Sequence, residues 1–221
     1  MGRRDHTAIA ALMHRGHMRD GWVAGDIQGI EIPAHAAALR EGGARYLTRA
    51  FHAAGSLAVD NRVTAIRRAE AFDGGSTGSK LLLEVEYDRD CKSLHKQLFV
   101  KFSRDFNDAA RDNARLQMRR EVRFVLLSRA LGFPIRVPAC YCADWEESSG
   151  TGMLITEFIA YGASGIAPHY AKCRDYDLED PVAHYRAIVR SLGRLAAYDR
   201  AGNLAPVTAR DFAFEPEQLT V

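Results

Sequence analysis

Hydrophobic residues in the middle of the chain fall into three short runs with the spacing of β-strands. The predicted strands cover residues 62–72, 80–87 and 97–102, and polar turn residues bound each of them. A segment rich in glycine, serine and threonine, residues 73–79, separates the first two strands. The pattern therefore predicts a hairpin closed by a glycine-rich loop, followed by a third strand.

The next segment has the periodicity of a helix. Apolar residues recur at three- and four-residue intervals over residues 107–131, and Gly132 and Pro134 are typical of a helix end. The apolar positions are Leu116, Val122, Phe124, Val125, Leu126, Leu127 and Leu131. This is the clearest helix that the sequence predicts.

Two further strands complete the pattern, at residues 137–143 and 152–159, with an acidic turn at residues 144–150 between them. The order of elements is strand, glycine loop, strand, strand, helix, strand, strand. It predicts an α+β fold in which a five-stranded antiparallel sheet carries one helix inserted after its third strand.

The flanking segments are helical or irregular. Apolar spacing predicts a lead-in helix between Pro33 and Gly55 and a tail helix over residues 182–198. The first thirty residues show little periodicity. His14 and His17 are spaced for one helix face, but a metal site needs at least a third ligand and the sequence indicates none.

Charge adds one feature to this picture. The 221 residues contain 30 Lys and Arg against 28 Asp and Glu, a net charge of +2 that gives no reason to expect a nucleic-acid partner. Residues 61–136 nevertheless contain 16 basic and 10 acidic side chains, and residues 137–221 contain 7 and 12. This gradient has two interpretations: oppositely charged solvated faces, or a middle segment that binds an anion.

The cysteines and the N-terminus indicate the cellular compartment in which the protein is expected. Cys91, Cys140, Cys142 and Cys173 lack the paired spacing of a zinc site, so reduced thiols are expected, with Cys140 and Cys142 pointing the same way from one strand. No apolar stretch is long enough for a signal peptide or a membrane span. The prediction is a cytoplasmic protein without a membrane partner.

Three features of the middle segment could bind a phosphate together. The glycine-rich loop would let backbone N–H groups approach an anion, although such a turn is also common in plain hairpins. Lys101 lies in an apolar strand, where its ammonium points either into water at a sheet edge or at an anionic group. Glu121 borders the apolar face of the helix. An ion pair between Lys101 and Glu121 would fix the lysine for contact with phosphates.

With these residues, the stretch from about Asn61 to Ile159 resembles the N-terminal lobe of the aminoglycoside phosphotransferase and choline-kinase-like superfamily, small-molecule kinases with the protein-kinase fold. The resemblance implies a nucleotide-binding lobe over residues 61–160, after a helical lead-in at residues 1–60. Residues 161–221 would hold the hinge-following segment and the first helix of an incomplete helical C-lobe. The implied ATP-binding residues are Gly74, Gly75, Ser76, Thr77 and Gly78 in the loop, Lys101, Glu121, and the hinge residues Glu157, Phe158 and Ile159.

The family's catalytic loop, a His-Gly-Asp with an Asn five residues after the Asp, has no counterpart in the sequence. The segment Asp199-Arg200-Ala201-Gly202-Asn203 has the wrong spacing and lacks the His-Gly. No later metal-binding Asp follows, so ATP with Mg is implied as cofactor while the Mg ligands are missing. The expected function is the ATP-binding lobe of a phosphotransferase acting on a hydroxyl of a small metabolite or aminoglycoside-like acceptor.

Alternatives follow from the same residues. One is a non-catalytic pseudokinase module that binds nucleotide or protein, with a partner or second copy over the surface that a C-lobe would cover. Another is a basic nucleic-acid-binding protein using residues 61–136, but the sequence shows no aromatic and basic platform. A P-loop is excluded, because Lys80 comes one place late after Gly78 and no hydroxyl residue follows it.

Overall fold

A computed structural model describes residues 21–72, 78–106, 108, 111–163, 165–170, 173–205 and 207–212. The chain forms two compact units. The first contains residues 1–125 and 138–159, and the second contains residues 126–137 and 160–221. None of the helices in the described residues is long and apolar enough to cross a lipid bilayer.

The first unit is built on the predicted antiparallel sheet. Its strands are β3 (Val63–Ala71), β4 (Lys80–Tyr87), β5 (Gln97–Phe102), β6 (Cys140–Glu146) and β7 (Thr151–Glu157), in the order β3-β4-β5-β7-β6. The α+β class and the five antiparallel strands are therefore confirmed. β4 and β5 have the predicted bounds, and bulges interrupt the pairing of β3 with β4. β7 pairs with β5, and β6, which comes first in sequence after the helix, forms the edge of the sheet beyond β7.

One face of the sheet carries the core of this unit. Alternate residues of β4 and β5 pack against helix α1 (Ala36–Ala53), which is the predicted lead-in helix with a kink at Gly43. The fully buried side chains of this core include Leu39, Leu47, Phe51, Leu81, Val85, Leu98, Val100, Phe102 and Ile155. The period-two spacing of β4 and β5 therefore leaves the intervening residues, Lys101 among them, on the opposite face.

A small hairpin precedes α1. Its strands, β1 (Trp22–Ala24) and β2 (Glu31–Pro33), are three residues each, and the sequence pattern predicts no strand before residue 62. Strands this short carry too few positions for period-two alternation to be visible. The side chains of Val23 and Ile32 insert into the core, which gives the hairpin its stability. His14 and His17 lie outside the described residues.

Helix α2 (Arg111–Leu127) replaces the longer helix predicted over residues 107–131. Turns occupy residues 128–132, and Gly132 has a φ of +73°. Over residues 117–127 only Met118 and Val122 are buried, whereas the apolar residues from Phe124 onward are half-buried. Because periodicity marks every apolar residue, it does not show which ones the fold covers.

The acidic turn predicted at residues 144–150 begins later than expected, because β6 continues to Glu146. Asp144 is fully buried, and its carboxylate accepts hydrogen bonds from the backbone N–H groups of Ile27 (2.9 Å), Gln28 (2.9 Å) and Trp145 (2.7 Å). Burial raises the pKa of the Asp144 carboxyl, and the three backbone donors oppose this shift. Asp144 thereby ties the turn of the N-terminal hairpin to the edge strand β6.

The expectation that Cys140 and Cys142 point the same way is also wrong. Cys140 pairs with Thr156 and Cys142 pairs with the adjacent Ile155, so a bulge lies between the two cysteines. A bulge adds one residue to a strand and reverses the alternation of its side chains. Cys142 is buried in the core, whereas Cys140 is half-buried, and none of the four cysteines, all of them within the described residues, forms a disulfide.

The second unit is helical. Helix α3 (Pro181–Arg200) agrees with the predicted tail helix, and the Asp180 carboxylate caps it by accepting a hydrogen bond from the Ala183 N–H. A one-turn 3-10 helix (Asp175–Asp177) precedes it and a short helix α4 (Val207–Asp211) follows. None of the residues of α3 is buried, so its apolar side remains accessible.

Asp144→Ala is expected to lower the free energy of unfolding of the first unit by about 2–4 kcal/mol, because it leaves one buried and two partly buried backbone donors unsatisfied. Urea unfolding followed by tryptophan fluorescence measures this, since both tryptophans, Trp22 and Trp145, belong to the first unit. Asp88→Ala is the control: it removes an exposed ion pair with Arg62 and should cost less than about 1 kcal/mol. Equal losses in the two variants would contradict the role given to Asp144.

Candidate functional site

Lys101 is the centre of the candidate site. Its residue is only 9% exposed, and its Nζ forms an ion pair with Glu121 Oε2, the contact that the sequence analysis predicts. The sheet-edge interpretation of Lys101 is wrong, because β5 lies between β4 and β7. A buried ammonium requires a negatively charged or strongly accepting partner, and Glu121 supplies it.

Helix α2 holds Glu121 in place through its buried residues. Met118 and Val122 lie one helical turn apart on the covered side, and Glu121 follows Met118 by three residues. A Cβ added at Gly152 would come within 2.9 Å of the Met118 side chain and 2.8 Å of the Trp145 ring. The glycine therefore lets α2 approach the sheet closely enough for the carboxylate to meet Lys101.

Ser103 fixes the end of β5 directly beyond Lys101. Its hydroxyl donates to the Gly150 carbonyl (2.9 Å) and accepts from the Gly152 N–H (2.8 Å), while its own N–H donates to the Gly152 carbonyl (3.0 Å). These bonds join β5 to the beginning of β7. They limit the movement of the strand that carries the lysine, a role that the sequence analysis missed.

The glycine loop ends beside this strand. Gly78 has a φ of +88°, and a Cβ at this position would overlap the carbonyl oxygen of Phe102, so only glycine fits. Gly74, Gly75, Ser76 and Thr77 lie outside the described residues. The described end of the loop is thus within one residue of Lys101 in the sheet.

A second lysine was missed by sequence reasoning. Lys80 pairs directly with Lys101 across β4 and β5, so the two side chains lie on the same face of the sheet, and Lys80 Nζ donates to the Gly78 carbonyl (3.0 Å). Antiparallel pairing combined with the alternation in β4 could have indicated this position. Two ammonium groups and a glycine turn at one end of the sheet favour an anionic ligand.

The same face continues as an apolar surface. Leu82 pairs with Phe99, and Phe99 pairs with Thr156 on the other side. Leu82 and Phe99 are half-buried, and the Phe72 ring lies edge-on to Phe99 with centroids 5.9 Å apart. A ligand with a flat apolar group beside an anionic group would match this surface: the apolar group would contact Leu82 and Phe99, and the anionic group would contact the lysines.

The predicted hinge residues lie at the end of β7. The Glu157 N–H donates to the Ala139 carbonyl (2.8 Å), and the Phe158 N–H donates to the Gln97 carbonyl (3.1 Å). The Glu157 side chain accepts from the Ala139 N–H (3.1 Å). These two backbone donors are therefore used within the sheet, whereas the Ile159 N–H has no partner among the described residues.

The segment compared with a catalytic loop has a structural role at the end of α3. The Asp199 carbonyl accepts from the Gly202 N–H (2.8 Å), and the Asn203 side-chain amide donates to the Tyr198 carbonyl (3.1 Å). Both contacts close the helix C-terminus. Within the described part of the chain, no group of three or more His, Cys, Asp or Glu could hold a metal ion.

Comparisons with protein-family models, with curated proteins and with solved structures gave no significant match.

Gly78→Ala tests whether the loop must approach β5 this closely. Alanine should destabilise the first unit by clearly more than the roughly 1–2 kcal/mol that a positive φ alone costs, because the Phe102 backbone must also move. Gly55→Ala is a matched control, since Gly55 has a φ of +64° with open space around its Cβ position. Tryptophan fluorescence during urea unfolding compares them; equal losses would show that the approach to Phe102 is not a constraint.

Proposed function

We propose that this chain carries the ATP-binding lobe of a small-molecule phosphotransferase, a kinase that transfers the γ-phosphate of ATP to a hydroxyl of a small metabolite or aminoglycoside-like acceptor. The observation that carries the proposal is the ion pair between the buried Lys101 and the half-buried Glu121. The two residues are 20 positions apart on different elements, and both belong to the order of features that resembles this superfamily.

The chemistry of the pair supports nucleotide binding. An ammonium group has three N–H donors, so a lysine held by a carboxylate can donate to phosphate oxygens at the same time. Because Glu121 fixes the direction of the side chain, less conformational entropy is lost when the phosphate binds. Lys80 and the end of the glycine loop add positive charge and a close backbone approach on the same side.

An adenine ring would use the remaining surface. Leu82 and Phe99 offer apolar contact next to the lysines. Since the N–H groups of Glu157 and Phe158 are bonded within the sheet, the Ile159 N–H is the hinge donor that an adenine edge would meet. Backbone recognition of this kind would explain why no special side chain is needed at the hinge.

The described residues offer no carboxylate cluster for Mg²⁺ and no counterpart of a catalytic Asp loop. We therefore assign binding and orientation of ATP to these residues and assign them no step of phosphoryl transfer. The acceptor hydroxyl and the metal would be held by residues outside the lobe, as the superfamily resemblance implies.

Titration of the full chain with Mg-ATP in a calorimeter tests the proposal. Lys101→Ala should weaken binding by about tenfold or more, which corresponds to about 1.4 kcal/mol, since a charge-assisted bond to phosphate is lost. Lys96→Ala is the control, because Lys96 pairs with Asp90 on an exposed loop and should leave the affinity unchanged. Unchanged binding in the folded Lys101→Ala variant would remove the basis of the proposal.

A second candidate function is a non-catalytic pseudokinase-like module that acts through protein contacts. The observation that favours it is the exposed apolar side of α3: Val182, Tyr185, Ile188, Val189 and Leu192 are each more than half exposed. Apolar residues that recur on one helix and remain accessible are typical of surfaces that another helix or protein covers.

Size-exclusion chromatography with light scattering distinguishes this candidate. For a self-associating module, the wild-type chain should elute as a stable oligomer, and Ile188→Glu with Leu192→Glu should convert it to a monomer. Arg186→Glu with Arg190→Glu changes exposed basic residues of the same helix and should leave assembly intact. A wild-type chain that remains monomeric at high concentration would contradict self-association.

A further inference from the structure

A groove on the other side of the sheet from Lys101 gathers positive charge. It has a volume of about 640 Å³, and its lining residues are Arg45, Thr48, Arg49, His52, Arg62, Val63 and Thr64. Helix α1 provides one wall and the beginning of β3 the other. Because α1 packs on the face of the sheet that carries Val100 and Phe102, the groove is separate from the face that carries Lys101.

The helix wall places its charges on one side. Arg45, Arg49 and His52 are spaced by four and three residues, so their side chains are neighbours along one face of α1. No salt bridge between described residues involves Arg45 or Arg49. The guanidinium groups of Arg45 and Arg49 are one helical turn apart and repel each other. A bound anion would offset this repulsion.

Arg49, His52 and Thr48 also make local contacts beside the groove. The Arg49 guanidinium lies over the Tyr46 ring, 5.8 Å from its centroid, and the Tyr46 side chain is buried. His52 Nε2 is 2.8 Å from the Asn61 carbonyl oxygen, a contact in which the ring nitrogen donates. The Thr48 hydroxyl donates to the Ala44 carbonyl (2.9 Å) and accepts from the Val63 N–H (3.0 Å), which joins the two walls.

The strand wall adds a third arginine that is only weakly held. Arg62 lies 3.6 Å from Asp88, and both side chains are strongly exposed, at 66% and 43%. An exposed pair at this distance contributes little, so an anion in the groove can take the place of Asp88. Three arginines, whose planar guanidinium groups can each form two parallel hydrogen bonds, thus line a space that lacks an acidic lining residue.

We infer that this groove binds the phosphate groups of a small soluble molecule, with Arg45, Arg49 and Arg62 as the recognising side chains. The volume is that of a small-molecule site. The lining contains no Phe, Tyr or Trp on which nucleic-acid bases could stack, and its one apolar member, Val63, is buried, so it offers nothing to insert into a lipid layer. Guanidinium groups are well suited to phosphate oxygens, which they bind in pairs.

Calorimetric titration of the full chain with inorganic triphosphate, without Mg²⁺ and at fixed ionic strength, tests the inference. Arg45→Gln with Arg49→Gln should weaken binding by at least about tenfold, since two charge-assisted contacts are lost. The control is Arg67→Gln with Arg68→Gln, which removes the same net charge from exposed pairs with Glu86 and Glu70 and should change the affinity by less than about threefold.

The Lys101→Gln variant separates this groove from the proposed nucleotide site. It should retain the triphosphate binding that the Arg45 and Arg49 substitutions weaken. Three results would each overturn the inference. They are the absence of triphosphate binding, equal weakening of binding by the two double substitutions, and loss of binding in the Lys101→Gln variant alone. The inference would also fail if a single-stranded RNA bound more tightly than triphosphate and this binding depended on Arg45 and Arg49, because the groove would then be a nucleic-acid surface.

Discussion

The burial of one lysine ammonium constrains the whole first unit. An unpaired charge at the position of Lys101, which is 9% exposed, would be too costly to keep inside an apolar sheet. The carboxylate of Glu121 compensates it only if α2 lies close to the sheet, and that approach requires the absence of a side chain at Gly152. A pair between a buried ammonium and a half-buried carboxylate contributes little net stability, although loss of the carboxylate alone would leave the lysine charge uncompensated.

The sheet could be predicted from sequence because its two central hairpin strands combine clear apolar runs with strong turn residues. β4 and β5 have the predicted bounds for this reason. The N-terminal hairpin escaped prediction, because its three-residue strands are held by distant contacts, among them the carboxylate of Asp144 more than 110 residues away. A buried acidic residue inside a strand looks like a turn residue when only its neighbours in sequence are considered.

The candidate site was predictable where its residues have separate signals along the chain, as Lys101 and Glu121 do. Lys80 and Ser103 were not found, because their importance depends on the register between strands and on a bond across the sheet. The bulge between Cys140 and Cys142 shows the same limit. A one-residue irregularity leaves no trace in composition, yet it reverses the side of the sheet to which every following side chain points.

The distribution of charge along the sequence does not show where an anion would bind, because that depends on which charged side chains pair in the folded structure. The excess of basic residues over residues 61–136 indicates an anion site there, but many of these side chains are already neutralised: Arg67, Arg68, Arg89, Lys96, Arg104 and Arg119 all form ion pairs. Residues 1–60 contain nearly equal numbers of basic and acidic side chains, and yet they supply Arg45 and Arg49, which have no acidic partner in the described residues. Since an anion is attracted by charge that the protein itself has not neutralised, the folded pairing decides where it binds.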